Sequence, residues 1–188
     1  MKRHFTLLLL SISTVAVIQS CSTTPQLYRF NTKNKTYTGK LSDSTFMALK
    51  HFLTTNTSAI LKDTIIIKYD YNNENCWSIL DQSEDSYIMG FVTRKKERVT
   101  KVLAKRQNIS VFGFREPGNN LNKIIKWDNS ILIDNSKQLY NLLFREQCTC
   151  GNSILVMPDN KFVFIRSDSH SEILELTSKK IEEMLNKK

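Results

Sequence analysis

The chain has 188 residues, 40% of them hydrophobic and 24% charged, with a formal net charge of +9. That length allows one domain with a core large enough to stand without staples, plus a tether. Only five glycines are present, with no Gly-rich phosphate loop and no Gly-x-Ser-x-Gly elbow, which leaves out two large classes of enzyme.

Residues 1–21 open the chain. Lys2 and Arg3 form a basic head, Phe5 to Ile18 carries no charge, and Ile18-Gln19-Ser20-Cys21 closes the run. A basic head, an apolar core of roughly 7–15 residues and a small residue at the cut make a secretory signal; a membrane span takes about 20 apolar residues. The ending resembles the bacterial lipobox, with Ile18, Ser20 and Cys21 at its positions and Gln19 as an unusual filler. That resemblance implies a signal peptide over residues 1–20, diacylglycerol on Cys21 and a cell-envelope protein held at a membrane by its lipid. Within the same pattern, Ser22 after the cysteine favours the outer membrane over the inner one. An exported protein meets little nucleic acid, so none is expected as a partner. The positive balance suits anionic headgroups or envelope polymers, or reflects a Lys- and Asn-rich composition.

Residues 21–40, with Pro25 and Gly39, are expected to be the lipidated cysteine and a flexible tether, with a short strand near residues 27–30. Residues 41–188 are expected to form a single α/β domain. Ser42 or Asp43 caps a helix through Phe46, Leu49 and Leu53, with His51 a surface or packing residue in it. Residues 65–71, rich in β-branched side chains, make a buried central strand that shifts to alternation at its end. Residues 72–77 are a loop carrying Cys76. Ser83-Glu84-Asp85-Ser86 then starts a long helix with Ile88, Phe91, Val92, Val99, Val102 and Leu103 as its apolar stripe. The opposite face is strongly basic, and Arg94, Lys96, Arg98 and Lys101 on it are the candidate surface for an acidic protein or envelope partner.

Residues 108–114 are a second strand, and Pro117-Gly118-Asn119-Asn120 breaks the chain. Residues 123–127 and 130–133 are short strand or connector pieces. Asp134, Asn135 or Ser136 caps a helix that buries Leu139, Leu142 and Leu143. Residues 154–157 and 162–165 flank Pro158-Asp159-Asn160-Lys161 as a hairpin, because Pro sets its own φ and Asp and Asn tolerate turn geometry. Ser169 and Glu172 form a capping box opening a last helix with Ile173, Leu174, Ile181, Met184 and Leu185 inward.

Besides Cys21 there are Cys76, Cys148 and Cys150. An odd number in an oxidising compartment permits one disulfide and a free thiol, in any of three pairings, or three reduced thiols. A second pair of metal ligands is missing and His170 is the only nearby histidine, its place in the capping box being solvent-facing. No metal and no cofactor are therefore expected. Trp77, Trp127, Phe112 and Phe114 are assigned to the core.

From Ile65 onward the order strand, helix, strand, helix, hairpin, helix (β-α-β-α-β-β-α) resembles the thioredoxin-like fold. The likeness is to the thioredoxin-like lipoproteins of the bacterial envelope in particular, over residues 63–186. It implies a three-layer sandwich preceded by a short N-terminal helix and a flexible tether. The Cys-x-x-Cys of the redox members is absent, since Ile79 stands three residues after Cys76, and Cys150-Gly151-Asn152-Ser153 stands where the family has a cis-proline. The resemblance implies that the Cys76 loop packs near the loop before Ile154. Cys76 would then lie close to Cys150 or Cys148, as a structural disulfide or an unconventional redox pair. The expectation is a membrane-anchored protein with a non-catalytic interaction or accessory role. The alternative is a divergent thiol–disulfide oxidoreductase-like protein using Cys76 with Cys148 or Cys150, distinguished by thiol reactivity.

Overall fold

Strands and helices run throughout residues 35–120 and 122–187, the residues described in this computed structural model. In order they are β1 (Thr36–Lys40), α1 (Asp43–Asn56), β2 (Thr64–Asp70), α2 (Asn75–Asp81), α3 (Asp85–Lys105) and β3 (Ile109–Arg115). Then come α4 (Asn122–Trp127), β4 (Ile131–Ile133), α5 (Gln138–Leu143), β5 (Asn152–Val156), β6 (Lys161–Ile165), a 3-10 turn at Glu172–Glu175 and α6 (Ser178–Asn186). The strands form one mixed sheet in the order β1-β6-β5-β2-β3-β4. The signal segment, the lipobox with Cys21 and the strand expected near residues 27–30 lie outside the described residues. Among the described residues no helix is long and apolar enough to cross a membrane.

The sheet is organised on β2. Every one of its residues is buried, which is what a continuous β-branched run in a two-sided strand requires. It pairs in parallel with β3 and antiparallel with β5. Because side chains alternate across a strand, Ile65, Ile67 and Tyr69 face Leu49, Phe52 and Leu53 of α1 and Leu139 and Phe144 at α5. Ile66 faces the other way, into a cluster with Ile173 and Ile181 and with Val99, Val102 and Leu103 of α3. Helical elements therefore cover both faces of an α/β sheet. A third cluster (Leu80, Ile88, Val92 and Ile124) seals α2, α3 and α4 together at one end.

Four sequence expectations need correction. Residues 36–40 are not tether. They form the edge strand β1, antiparallel to β6, with Tyr37 stacked on Phe164 at 4.9 Å; Tyr37 is the strand's one large apolar side chain, too little for a strand pattern. The loop expected at residues 72–77 turns into α2 from Asn75. The pieces at residues 123–127 and 130–133 resolve into α4 and a three-residue parallel edge strand, β4, beside β3. The capping box at Ser169 does not form. Asp168 takes the role instead, its carboxylate accepting from the N–H groups of Glu172 at 2.5 Å and Ile173 at 3.3 Å. Only the short 3-10 turn follows, and α6 starts afresh with Thr177 capping the Lys180 N–H at 3.2 Å.

The hairpin forms as expected, with Asn160 at the turn in the left-handed region (φ 66°), where asparagine is among the better-tolerated residues. Its Nδ2 donates to Asp43 Oδ1 at 2.6 Å, tying the turn to the start of α1. In the middle of the sheet, Ile67 is fully buried. Ile67→Ala is expected to lower stability by about 2–5 kcal/mol, read as a fall in the urea midpoint. Ile60→Ala, at a position 88% exposed, is expected to change it by less than about 0.5 kcal/mol.

Candidate functional site

Cys76, the second residue of α2, is bonded to Cys150, just before β5, across a Cα–Cα distance of 5.3 Å and 74 residues of chain. Both elements emerge at the same end of the sheet, because β2 runs out toward α2 and its antiparallel partner β5 enters from there. A backbone bond from Asn75 N to Thr149 O at 3.1 Å runs alongside. Of the three candidate thiols the structure thus brings two together. Cys148 is free and fully buried, and burial pushes its thiol up from the ordinary value. That keeps it protonated and poorly reactive.

Beneath the bridge lies a buried charge cluster that the cysteine pattern did not reveal. Lys68 and Asp70 alternate with apolar residues on the α3 face of β2, and Glu74 follows just before α2; all three are at most 9% exposed. Lys68 Nζ donates to Gly151 O at 2.7 Å and Asp168 O at 2.6 Å, and lies 3.5 Å from Asp70 Oδ1. Glu74 Oε2 accepts from the Tyr71 N–H at 2.8 Å. Glu74 Oε1 and Asp70 Oδ1 accept no hydrogen bond from a described residue. Burial first, then the nearby Asp70 charge, raises the Glu74 carboxyl well above the ordinary glutamate value, against the pull of Lys68. Gly151 closes over the cluster: a Cβ there would sit 2.2 Å from Asp70 Oδ1 and 2.5 Å from Tyr69 O, so no larger residue fits without displacement.

This cluster and the bridge form one side of a cleft of about 460 Å³, whose other side is Leu80, Tyr87 and Phe91. Ser169 and His170 complete it, on a turn whose flanking residues Ser167 and Ser171 both have positive φ (48° and 56°). A second chamber of about 280 Å³ continues along α3 to Arg94, Lys95 and Arg98. Among the described residues, no group of three or more His, Cys, Asp or Glu is arranged to hold a metal ion.

The basic candidates on α3 do not share one face. At roughly 100° per residue, Arg94, Arg98 and Lys101 fall in one row, while Lys96 turns away. Its Nζ lies 3.8 Å from the buried Asp128 and donates to Trp127 O at 3.3 Å. Arg98 donates to His170 O and lies 3.9 Å from Glu175. Arg94 is exposed at the cleft mouth and Lys101 is exposed beyond it.

No protein-family model, curated protein or solved structure matches the chain. The site is legible only from its own geometry.

Sequence reasoning singles out Cys76, Cys148 and Cys150, with the partner of Cys76 left open, but passes over Lys68, Asp70 and Glu74. The signal was present: two charged residues inside a strand otherwise apolar enough to be central must find partners in the interior. Glu74 gives a pH test. The folded chain binds this proton more tightly than the unfolded chain, so stability falls as pH rises from the ordinary glutamate value, about 4.3, toward the raised one. Glu74→Gln removes that slope. Denaturant melts at about pH 5 and about pH 8 are expected to show the native chain losing more stability between them than the variant; parallel losses would count against the assignment.

Proposed function

We propose that this chain is a lipid-anchored cell-envelope protein whose thioredoxin-like domain serves a non-catalytic interaction or accessory role. A parallel β2–β3 pair crossed by α3, an antiparallel β5–β6 hairpin laid beside β2, and a closing helix support the thioredoxin-like reading. The lipobox at Ile18, Ser20 and Cys21 supports the anchor, and Ser22 the outer membrane.

The observation that carries the non-catalytic reading is the pairing of the thiols. Cys76 is bonded to a residue 74 positions away, on a different segment, and the remaining thiol, Cys148, is buried with its pKa raised. A bridge of this span clamps the start of α2 to the approach to β5, stabilising by about 2–4 kcal/mol. Exchange chemistry instead needs an accessible thiolate with a resolving partner. The row Arg94, Arg98 and Lys101 offers the surface for an acidic envelope partner. One observation favours the thiol–disulfide alternative: Cys76 lines the cleft, within reach of a small or extended substrate.

Alkylation of the native protein from membranes, followed by a non-reducing peptide map, separates the two. The expected result is lipid on Cys21, a complete Cys76–Cys150 pair resistant to glutathione, and Cys148 alkylated only after denaturation. Rapid native alkylation of Cys76, with a bridge that turns over in glutathione, would replace this reading with exchange chemistry. The double substitution Cys76→Ser/Cys150→Ser is expected to lose about 2–4 kcal/mol of stability in denaturant melts. Reversing Arg94, Arg98 and Lys101 to Glu is expected to abolish low-salt retention on immobilised polyglutamate without changing the thermal melt.

A further inference from the structure

The two chambers of the cleft differ in chemistry. The inner one has apolar walls from Leu80, Tyr87 and Phe91. Its floor carries charged residue types, yet these are answered internally: the Lys68 ammonium lies 3.5 Å from the Asp70 carboxylate and donates to two carbonyls. Burial raises the Glu74 carboxyl well above the ordinary glutamate value, which favours its neutral form. The inner chamber can therefore take an uncharged, apolar group without leaving an ion unmatched.

The outer chamber has the opposite character. Arg94, Lys95 and Arg98 line it, and among the described residues the one acid lining it is Asp70, already facing Lys68. Two of the three cations are partly engaged, Lys95 with Asp128 at 3.3 Å and Arg98 with Glu175 at 3.9 Å. Arg94 makes no ion pair with any described residue and lines this chamber together with Tyr87 and Phe91, its guanidinium passing over Gly90 one turn back on α3. A cleft with low-dielectric walls focuses such a field on its opening. An unpaired guanidinium matches carboxylate and phosphate in a two-pronged geometry. The inner chamber, at about 460 Å³, falls within the range of small-molecule sites, about 300–1,000 Å³.

We propose that this cleft binds an organic acid, with an aromatic or aliphatic body against Leu80, Tyr87 and Phe91 and its single carboxylate or phosphate on Arg94. The proposal goes beyond the accessory role above and does not rest on the anchor or the fold likeness. A free acid and an anionic lipid present the same chemistry.

The test uses the full chain as isolated, with 2-naphthoate as probe, read by calorimetry and saturation-transfer NMR. Naphthoate is expected to bind, and 2-naphthol and a naphthylmethylammonium salt to bind at least about tenfold more weakly. Arg94→Glu, and Arg94→Gln as a milder variant, are expected to weaken naphthoate by at least about tenfold. Tyr87→Ala, at a position 57% exposed, is expected to weaken all three probes. Lys179→Glu, an exposed cation on α6 away from the cleft, is expected to leave binding unchanged, and thermal melts check that each variant is folded. Displacement of naphthoate by phosphatidylcholine vesicles containing phosphatidylglycerol would assign a lipid as the natural source, and its absence a soluble acid. No naphthoate binding, equal binding of the neutral or cationic probe, or binding indifferent to Arg94 would overturn the proposal.

Discussion

The ammonium group of Lys68 ties together the working end of this molecule. It sits in the central strand, where removing a charge from water costs several kcal/mol unless it is paired and hydrogen-bonded. It is answered by the carbonyls of Gly151 and Asp168 and by the carboxylate of Asp70. Those contacts join three segments distant in sequence: β2, the approach to β5 and the turn that leaves β6. None can move far without stranding a buried charge. The tie also dictates the residue above it, since a side chain at position 151 would run into Asp70, Tyr69 and Lys68 itself.

The disulfide works on the same segments from outside. It fastens the start of α2 to the residue before Gly151, so the loop is held from below by charge and hydrogen bonds and from the side by a covalent bond. What remains between this fixed rim and α3 is the cleft. Its floor sets Lys68 against Asp70, its walls are apolar, and its mouth is cationic because α3 runs past it with one row of basic side chains. The cleft, the bridge and the basic helix are thus one arrangement, produced where β2 ends and α3 passes over the sheet.

Much of the fold was legible along the chain. The run at residues 65–67 marked a two-sided strand, the spacing of Ile88, Val92, Val99 and Val102 marked the long helix, and the Pro-Asp-Asn-Lys turn marked the hairpin. The elements misread are those stabilised by distant partners. The strand β1 has few apolar residues of its own and exists because β6 offers an edge. The Ser169 capping box lost to Asp168, whose carboxylate reaches two N–H groups in a turn set by the interior rather than by local pattern. In the site, the three cysteines are legible without their pairing, and their charged neighbours are not, because a strand pattern shows that Lys68 and Asp70 are buried but not which carbonyls and carboxylates will meet them.

The sequence alone determined the α/β alternation, the central position of β2, the length of α3 and the basic character of its outer side. These follow from side-chain periodicity and from where β-branched, apolar and charged residues fall, all properties of neighbours in the chain. Tertiary structure alone decided that Cys76 pairs with Cys150 and not Cys148, that Lys96 turns away from Arg94, Arg98 and Lys101, and that Glu74 becomes a buried acid beside a cleft. Each of those outcomes depends on sheet pairing between segments tens of residues apart, because burial and electrostatic environment are set by the packing that surrounds a residue.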